Sequence, residues 1–157
     1  MDEDVERLAA LGLWRDDIDR LVGRINGDLG RIGKPAISYH HSSFPREEMA
    51  ALYRAADVMV VTPFRDGMNL VAKEYVAAQD PEDPGALVLS RFAGAAPYLK
   101  GALLVNPLDP DEIAEALDQA MGMPLEERLG RWRPMAEEVR EGSARNWCRA
   151  FLAALEG

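Results

Sequence analysis

Three short runs of this chain, Val58-Met59-Val60-Val61, Ala86-Leu87-Val88-Leu89 and Ala102-Leu103-Leu104-Val105, are apolar at every position. A strand with one wet face alternates apolar and polar side chains, so unbroken apolar runs of this length call for a parallel sheet covered on both faces. The intervening segments supply the cover. Arg46 to Ala56, with Met49, Leu52 and Tyr53 inward, Met68 to Gln79, Asp111 to Met121, Leu125 to Arg140 and Ala144 to Leu155 all read as helices. Asp109-Pro110-Asp111-Glu112 and Met123-Pro124-Leu125-Glu126-Glu127 are helix starts, with an early proline and acids in the first turn. Upstream, Leu8, Leu11, Ile18, Leu21, Val22 and Ile25 mark a helix over Val5 to Leu29, and Pro35 to Tyr39 reads as a fourth strand. The last helix carries an apolar stripe of Trp147, Phe151, Leu152 and Leu155, expected to serve as core. The pattern predicts a doubly wound α/β layout with about four strands and a ligand at their carboxyl ends.

A chain of 157 residues is one domain's worth, long enough to bury most of its apolar surface. Its net charge of −9 comes from 27 acidic residues with no basic stripe to offset them, which argues against binding nucleic acid or an anionic membrane. Cys148 is the single cysteine, so an intrachain disulfide or a cysteine metal site is not expected. The acidic start Met1-Asp2-Glu3-Asp4 leads into no apolar run, which argues against a signal peptide, and a soluble, cytoplasmic protein is the expectation.

One strand-to-helix junction carries the chemistry: Val60-Val61-Thr62-Pro63-Phe64-Arg65-Asp66-Gly67-Met68-Asn69-Leu70-Val71-Ala72-Lys73-Glu74-Tyr75. A helix start after a strand offers unpaired N–H groups and a positive dipole end to phosphate, and Gly67 lets the backbone approach a ligand. Asp66 precedes the helix, where it suits either sugar hydroxyls or an ordinary cap. Glu74 lies one turn beyond Leu70, where it suits a ribose or simply solvent, and buried neighbours Tyr75 and Val76 would decide which way it points. Leu70 and Val71, apolar and expected to be buried, could act only through their main chain. Arg65 could compensate phosphate charge or pair with Asp57. His40 and His41 are adjacent, so in a strand they face opposite ways, and no third metal ligand lies near.

The wording of this segment resembles the trehalose-6-phosphate synthase family of retaining glycosyltransferases, from Arg65 to Tyr75 above all. Leu52-Tyr53-Arg54-Ala55-Ala56-Asp57-Val58, Phe92-Ala93-Gly94-Ala95-Ala96, Gly23-Arg24-Ile25-Asn26-Gly27, Val76-Ala77-Ala78-Gln79-Asp80 and Leu103-Leu104-Val105-Asn106-Pro107 extend the likeness from about residue 20 to the C-terminus. The resemblance implies a Rossmann-like parallel sheet with flanking helices, an incomplete C-terminal domain of a GT-B glycosyltransferase, forming one donor-binding domain over 1–157 without the N-terminal acceptor domain. By likeness, Asp66 is the catalytic-site acid that grips glucose. The backbone of Gly67, Met68 and Asn69 faces the sugar, Leu70 and Val71 offer N–H groups to the diphosphate, Ala72 and Lys73 line the same turn, and Glu74 binds ribose. Phe44 belongs with the base, although Phe44-Pro45-Arg46 departs from the commoner family wording.

The implied ligand is UDP-glucose or another nucleoside-diphosphate glucose, with no cofactor and no metal. The implied activity of the complete protein is transfer of glucose to glucose 6-phosphate with retention. The family's diphosphate-gripping Arg and Lys, and the arginine near the acceptor phosphate, have no match here. Half a cleft is not expected to catalyse, because transfer needs donor and acceptor enclosed together. The alternatives are a chain completed by a separate acceptor-domain chain or a homo-oligomer, and a noncatalytic or split-gene module that binds nucleotide-sugar weakly. Without the two strands that precede this region in the family, the sheet order 3-2-1-4-5-6 loses its middle, so strand pairing becomes the physical problem of the fold.

Overall fold

The computed structural model describes residues 3–142 and 144–155, with residues 3–14, 144, 145, 147 and 150 described by backbone alone. The chain divides into two compact units, Met1–Ser43 and Phe44–Gly157. The first holds helix α1 (Glu3–Leu29) and a turn closed by reciprocal backbone bonds between Arg31 and Lys34, with Gly33 at φ 75°. The expected strand at Pro35–Tyr39 does not form. A strand needs a ladder partner, and here the Asn26 side-chain amide takes that role, donating to the Ile37 carbonyl at 2.9 Å and accepting from its N–H at 2.8 Å. His41 lies 3.6 Å from Asp19, and its ring meets Tyr39 edge-on.

The second unit is the α/β body. Helix α2 (Arg46–Ala55) leads to β1 (Val58–Val61), α3 (Leu70–Ala78), β2 (Ala86–Ser90), β3 (Leu103–Val105), α4 (Pro110–Met121), α5 (Leu125–Glu141) and α6 (Ala144–Leu155). The three strands are parallel in the order β1-β2-β3, with Val58 opposite Ala86 and Val88 opposite Leu103. Among the described residues the sheet has three strands where about four were expected, and β1 pairs only with β2. The difference is Pro35–Tyr39, which has no strand beside it.

Period-two alternation splits the sheet side chains between two clusters, as a parallel sheet between helix layers requires. Met59, Val61, Leu87 and Leu89 pack with Tyr53 of α2, Tyr75 and Val76 of α3 and Met135 of α5. Val58, Ala86, Val88, Leu103 and Val105 pack on the opposite face with Ile113, Ala116 and Ala120 of α4. Asp109 caps α4 by accepting from the N–H groups of Asp111 and Glu112, and Pro110 opens the helix. The Trp132 indole donates to the Val76 carbonyl at 2.9 Å, which ties α5 to α3.

Two packing expectations are corrected. On α2 the inward pair is Met49 and Tyr53, one turn apart, whereas Leu52 lies off that stripe and is half exposed. On α6, Phe151, Leu152 and Leu155 are exposed rather than core, and Trp147 lies outside the described side chains.

A buried amide joins α2 to the loop before β2. Gln79 Nε2 donates to the Tyr53 carbonyl at 2.6 Å, and Gln79 Oε1 accepts from the Gly85 N–H at 2.7 Å. Leucine at this position leaves the Gly85 N–H buried without a partner, at about 1–3 kcal/mol, and leaves the Tyr53 carbonyl with only the long bond of 3.4 Å from the Ala56 N–H. We expect Gln79→Leu to lower the urea midpoint clearly without changing the slope of the transition; a midpoint equal to wild type would show that water replaces the amide.

Candidate functional site

The junction between β1 and α3 is shaped by one carboxylate. Asp66 Oδ1 accepts from the N–H groups of Met68 and Asn69, both at 3.0 Å, and Oδ2 accepts from the Asn69 side-chain amide at 2.9 Å. These bonds, led by that from Met68, hold the Asp66 carboxyl below the usual carboxylate range, so it is ionised at neutral pH. Asp66 is not the helix cap. That role falls to Asn69, whose Oδ1 accepts from the Ala72 N–H at 2.8 Å and whose backbone sits in the left-handed region at φ 69°, ψ 86°. Asparagine tolerates this conformation better than most residues, and here the side chain is bonded at both ends. The helix therefore starts at Leu70, two residues later than the pattern of the sequence suggests.

The loop after β2 holds this turn from the side. Asp66 bridges in parallel to Ala93, and the Gly94 N–H donates to the Asp66 carbonyl at 2.8 Å. Gly94 is the position where the backbone comes close: a Cβ there would overlap the Gly67 carbonyl. Gly67, by contrast, faces open space, with nothing within 4 Å of a Cβ built on it.

The buried stripe of α3 runs through Ala72, Tyr75, Val76 and Gln79. That stripe turns the opposite side of the helix outward, so Leu70 and Val71 are exposed, at 59% and 39%, and not buried as the sequence suggested. No acceptor among the described residues takes the main-chain N–H of either, whereas that of Ala72 is taken by the cap. Lys73 lies 5.9 Å from the centre of the Tyr98 ring, within cation–π range.

With Tyr75 and Val76 fully buried, Glu74 points into a groove between α2 and α3. The groove has a volume of about 570 Å³ and is lined by Phe44, Arg46, Met49, Tyr53, Glu74 and Ala78 among others. Its floor carries the Tyr53 hydroxyl, 3.5 Å from Glu74 Oε2, and burial with the nearby carboxylate pushes that hydroxyl's pKa up. Phe44 and Glu74, 30 positions apart in the sequence, thus line one groove, while Asp66 to Val71 form the turn at the start of the same helix. The Arg65–Asp57 ion pair does not form, because the two residues flank β1 at opposite ends. Sequence reasoning missed Gly94, the side-chain role of Asn69 and the contact of Tyr53 with Glu74. The run of small residues at 93–96 was the one visible signal for the first.

The family model for glycosyltransferase family 20 matches residues 4–157. The chain belongs to this family. It is 51% identical over 142 residues to the trehalose-6-phosphate synthase of Klebsiella pneumoniae, covering 90% of this chain and 30% of that protein. The Sinorhizobium fredii trehalose-6-phosphate synthase is 55% identical over 131 residues, covering 83% of this chain and 28% of that protein. Among solved structures, it matches an alpha,alpha-trehalose-phosphate synthase (UDP-forming) from Burkholderia xenovorans in complex with glucose-6-phosphate. That match has a TM-score of 0.85 at 53% identity and covers 91% of this chain and 32% of that one. A trehalose-6-phosphate structure from E. coli bound with UDP-2-fluoro glucose matches with the same TM-score at 48% identity, over 90% and 31% of the two chains. The chain thus spans about a third or less of the length of these glycosyltransferase family 20 relatives. Among the described residues, no helix is long and apolar enough to cross a membrane.

Proposed function

We propose that Phe44–Gly157 forms the donor site for a nucleoside-diphosphate glucose, UDP-glucose in the first instance, in the cytoplasm. The observation that carries this reading is the groove shared by Phe44 and Glu74, set beside the turn in which Asp66 is already ionised and oriented. Phe44 packs on the base, Glu74 accepts from ribose hydroxyls, and Asp66 accepts from a glucose hydroxyl. The N–H groups of Leu70 and Val71, at the positive end of α3, face the diphosphate. Gly67 lies open to the sugar, and Lys73 adds positive charge on the same turn.

In a complete protein the donor so held transfers glucose to glucose 6-phosphate with retention. The donor's own phosphate assists departure, and the N–H groups stabilise the charge that develops on it. The acceptor contacts come from outside this chain, supplied by a further domain or a second polypeptide. A second reading is favoured by β1, which carries a strand on only one edge among the described residues, and by the exposed stripe of α6. In that reading the chain is a noncatalytic module that associates with a fuller synthase.

Calorimetric titration of the folded chain with UDP-glucose and with UDP tests the site. We expect saturable binding of both. Asp66→Ala should weaken UDP-glucose selectively, and Glu74→Ala should weaken both ligands, each by about tenfold, the loss of one charge-assisted hydrogen bond. A folded chain that binds neither ligand would rule out a donor site in the chain alone and favour the module.

A further inference from the structure

We propose that Asn69 is a positioning residue whose side-chain amide aims the Asp66 carboxylate at the sugar, leaving it a single free acceptor position. This inference rests on the nucleotide-sugar site proposed above and adds to it a residue that acts through another. An ionised carboxylate offers about four lone-pair positions. Three are occupied inside the loop: two on Oδ1 by the Met68 and Asn69 N–H groups and one on Oδ2 by Asn69 Nδ2. The remaining position is on Oδ2, so Asp66 takes one hydroxyl in a defined direction without giving up an internal bond.

Asn69 suits this role because it is held more firmly than Asp66. It is 8% exposed, its Oδ1 is bonded to the Ala72 N–H inside the first turn of α3, and its left-handed backbone turns the amide back onto the preceding loop. The orientation of the carboxylate is thereby referred to the axis of the same helix that carries Leu70, Val71 and Glu74. Sugar, diphosphate and ribose ligands share one rigid frame, which lowers the ordering cost on binding.

The chemistry of the amide is specific. One end must donate to a carboxylate while the other accepts from a backbone N–H, which aspartate cannot do. Glycine keeps the left-handed backbone and costs little as a cap, so Asn69→Gly removes the aim while sparing the helix.

The test is a double-substitution cycle with UDP-glucose and UDP as probes, together with a carbon NMR titration of the Asp66 carboxyl. In Asn69→Gly, UDP-glucose should bind about tenfold more weakly while UDP changes by less than about threefold. In an Asp66→Ala background the same substitution should cost nothing further, since a residue that acts through another has no effect once the other is gone. The Asp66 titration midpoint should rise in Asn69→Gly, because one of the bonds that favours the ionised form is lost.

Equal weakening of both ligands, or losses that simply add, would overturn the inference in favour of a general structural role. If the unsubstituted chain binds neither ligand, the donor-site reading fails and this inference falls with it; if it binds both and the Asp66 midpoint does not move in Asn69→Gly, the Asn69 role alone is rejected.

Discussion

Gly94→Ala is expected to abolish detectable UDP-glucose binding and to lower stability by about 1–3 kcal/mol, the usual cost of forcing a methyl group into a filled space. The new Cβ would overlap the Gly67 carbonyl oxygen and lie 2.5 Å from its carbon and 2.9 Å from the Met68 nitrogen. All three are backbone atoms, so no side chain can swing aside. Relief has to come from moving the two loops apart, which breaks the bond from the Gly94 N–H to the Asp66 carbonyl and displaces the residues that orient the Asp66 carboxylate. Gly67→Ala is the matched control, because its Cβ meets nothing and the protein should keep wild-type stability. A thermal melt of both variants and a calorimetric titration of Gly94→Ala check this. Wild-type affinity in Gly94→Ala would show that the turn is set by Asp66 and Asn69 alone.

The second large effect is confined to folding. Gly85→Ala drives a methyl group into the Tyr75 hydroxyl and to 2.7 Å from the carbonyl oxygens of both Ala56 and Asp57. Tyr75 is fully buried, and its hydroxyl lies 3.2 Å from the Ala56 carbonyl and 3.1 Å from the Ala86 carbonyl. Burial, the largest influence, pushes its pKa well above the ordinary phenol value, so it remains a neutral donor across the accessible pH range. Displacing it adds the loss of its buried hydrogen bonding to the cost of overpacking, together about 3 kcal/mol or more. Adding Tyr75→Phe should recover only part of the loss, since the two backbone oxygens at 2.7 Å remain. Urea denaturation of the single and double variants measures the difference. Full recovery would place the whole strain on the tyrosine.

The turn between β1 and α3 and the fold around it were legible in the sequence to different depths. β1, β2 and β3 were readable from unbroken apolar runs, because a run without a polar face has few places to go except a covered sheet. The helices over 46–55, 110–121 and 125–141 were readable from periodicity and from acids and prolines at their starts. Residues 35–39 have the composition of a strand, but composition does not supply the neighbour that a ladder requires.

Asp66 and Glu74 stood out as a pair from the wording of a short segment, but the sequence alone does not settle which way Glu74 points; the burial of Tyr75 and Val76 in the folded chain does. The exposure of Leu70 and Val71 was not recognisable, since hydrophobicity states what a side chain would gain from burial and not whether anything covers it.

Local chemistry therefore determined the three strands of the sheet, their parallel pairing and the helices of the α/β body that cover them. Tertiary structure alone decided which glycines matter and where the bonds of the site go. Gly67 and Gly94 are indistinguishable as letters. Only the approach of two loops 27 residues apart leaves one facing open space and presses the other against a peptide. In the same way, Phe44 and Glu74 share a groove because α2 and α3 pack side by side over the sheet, a contact between distant parts of the chain that no local pattern encodes.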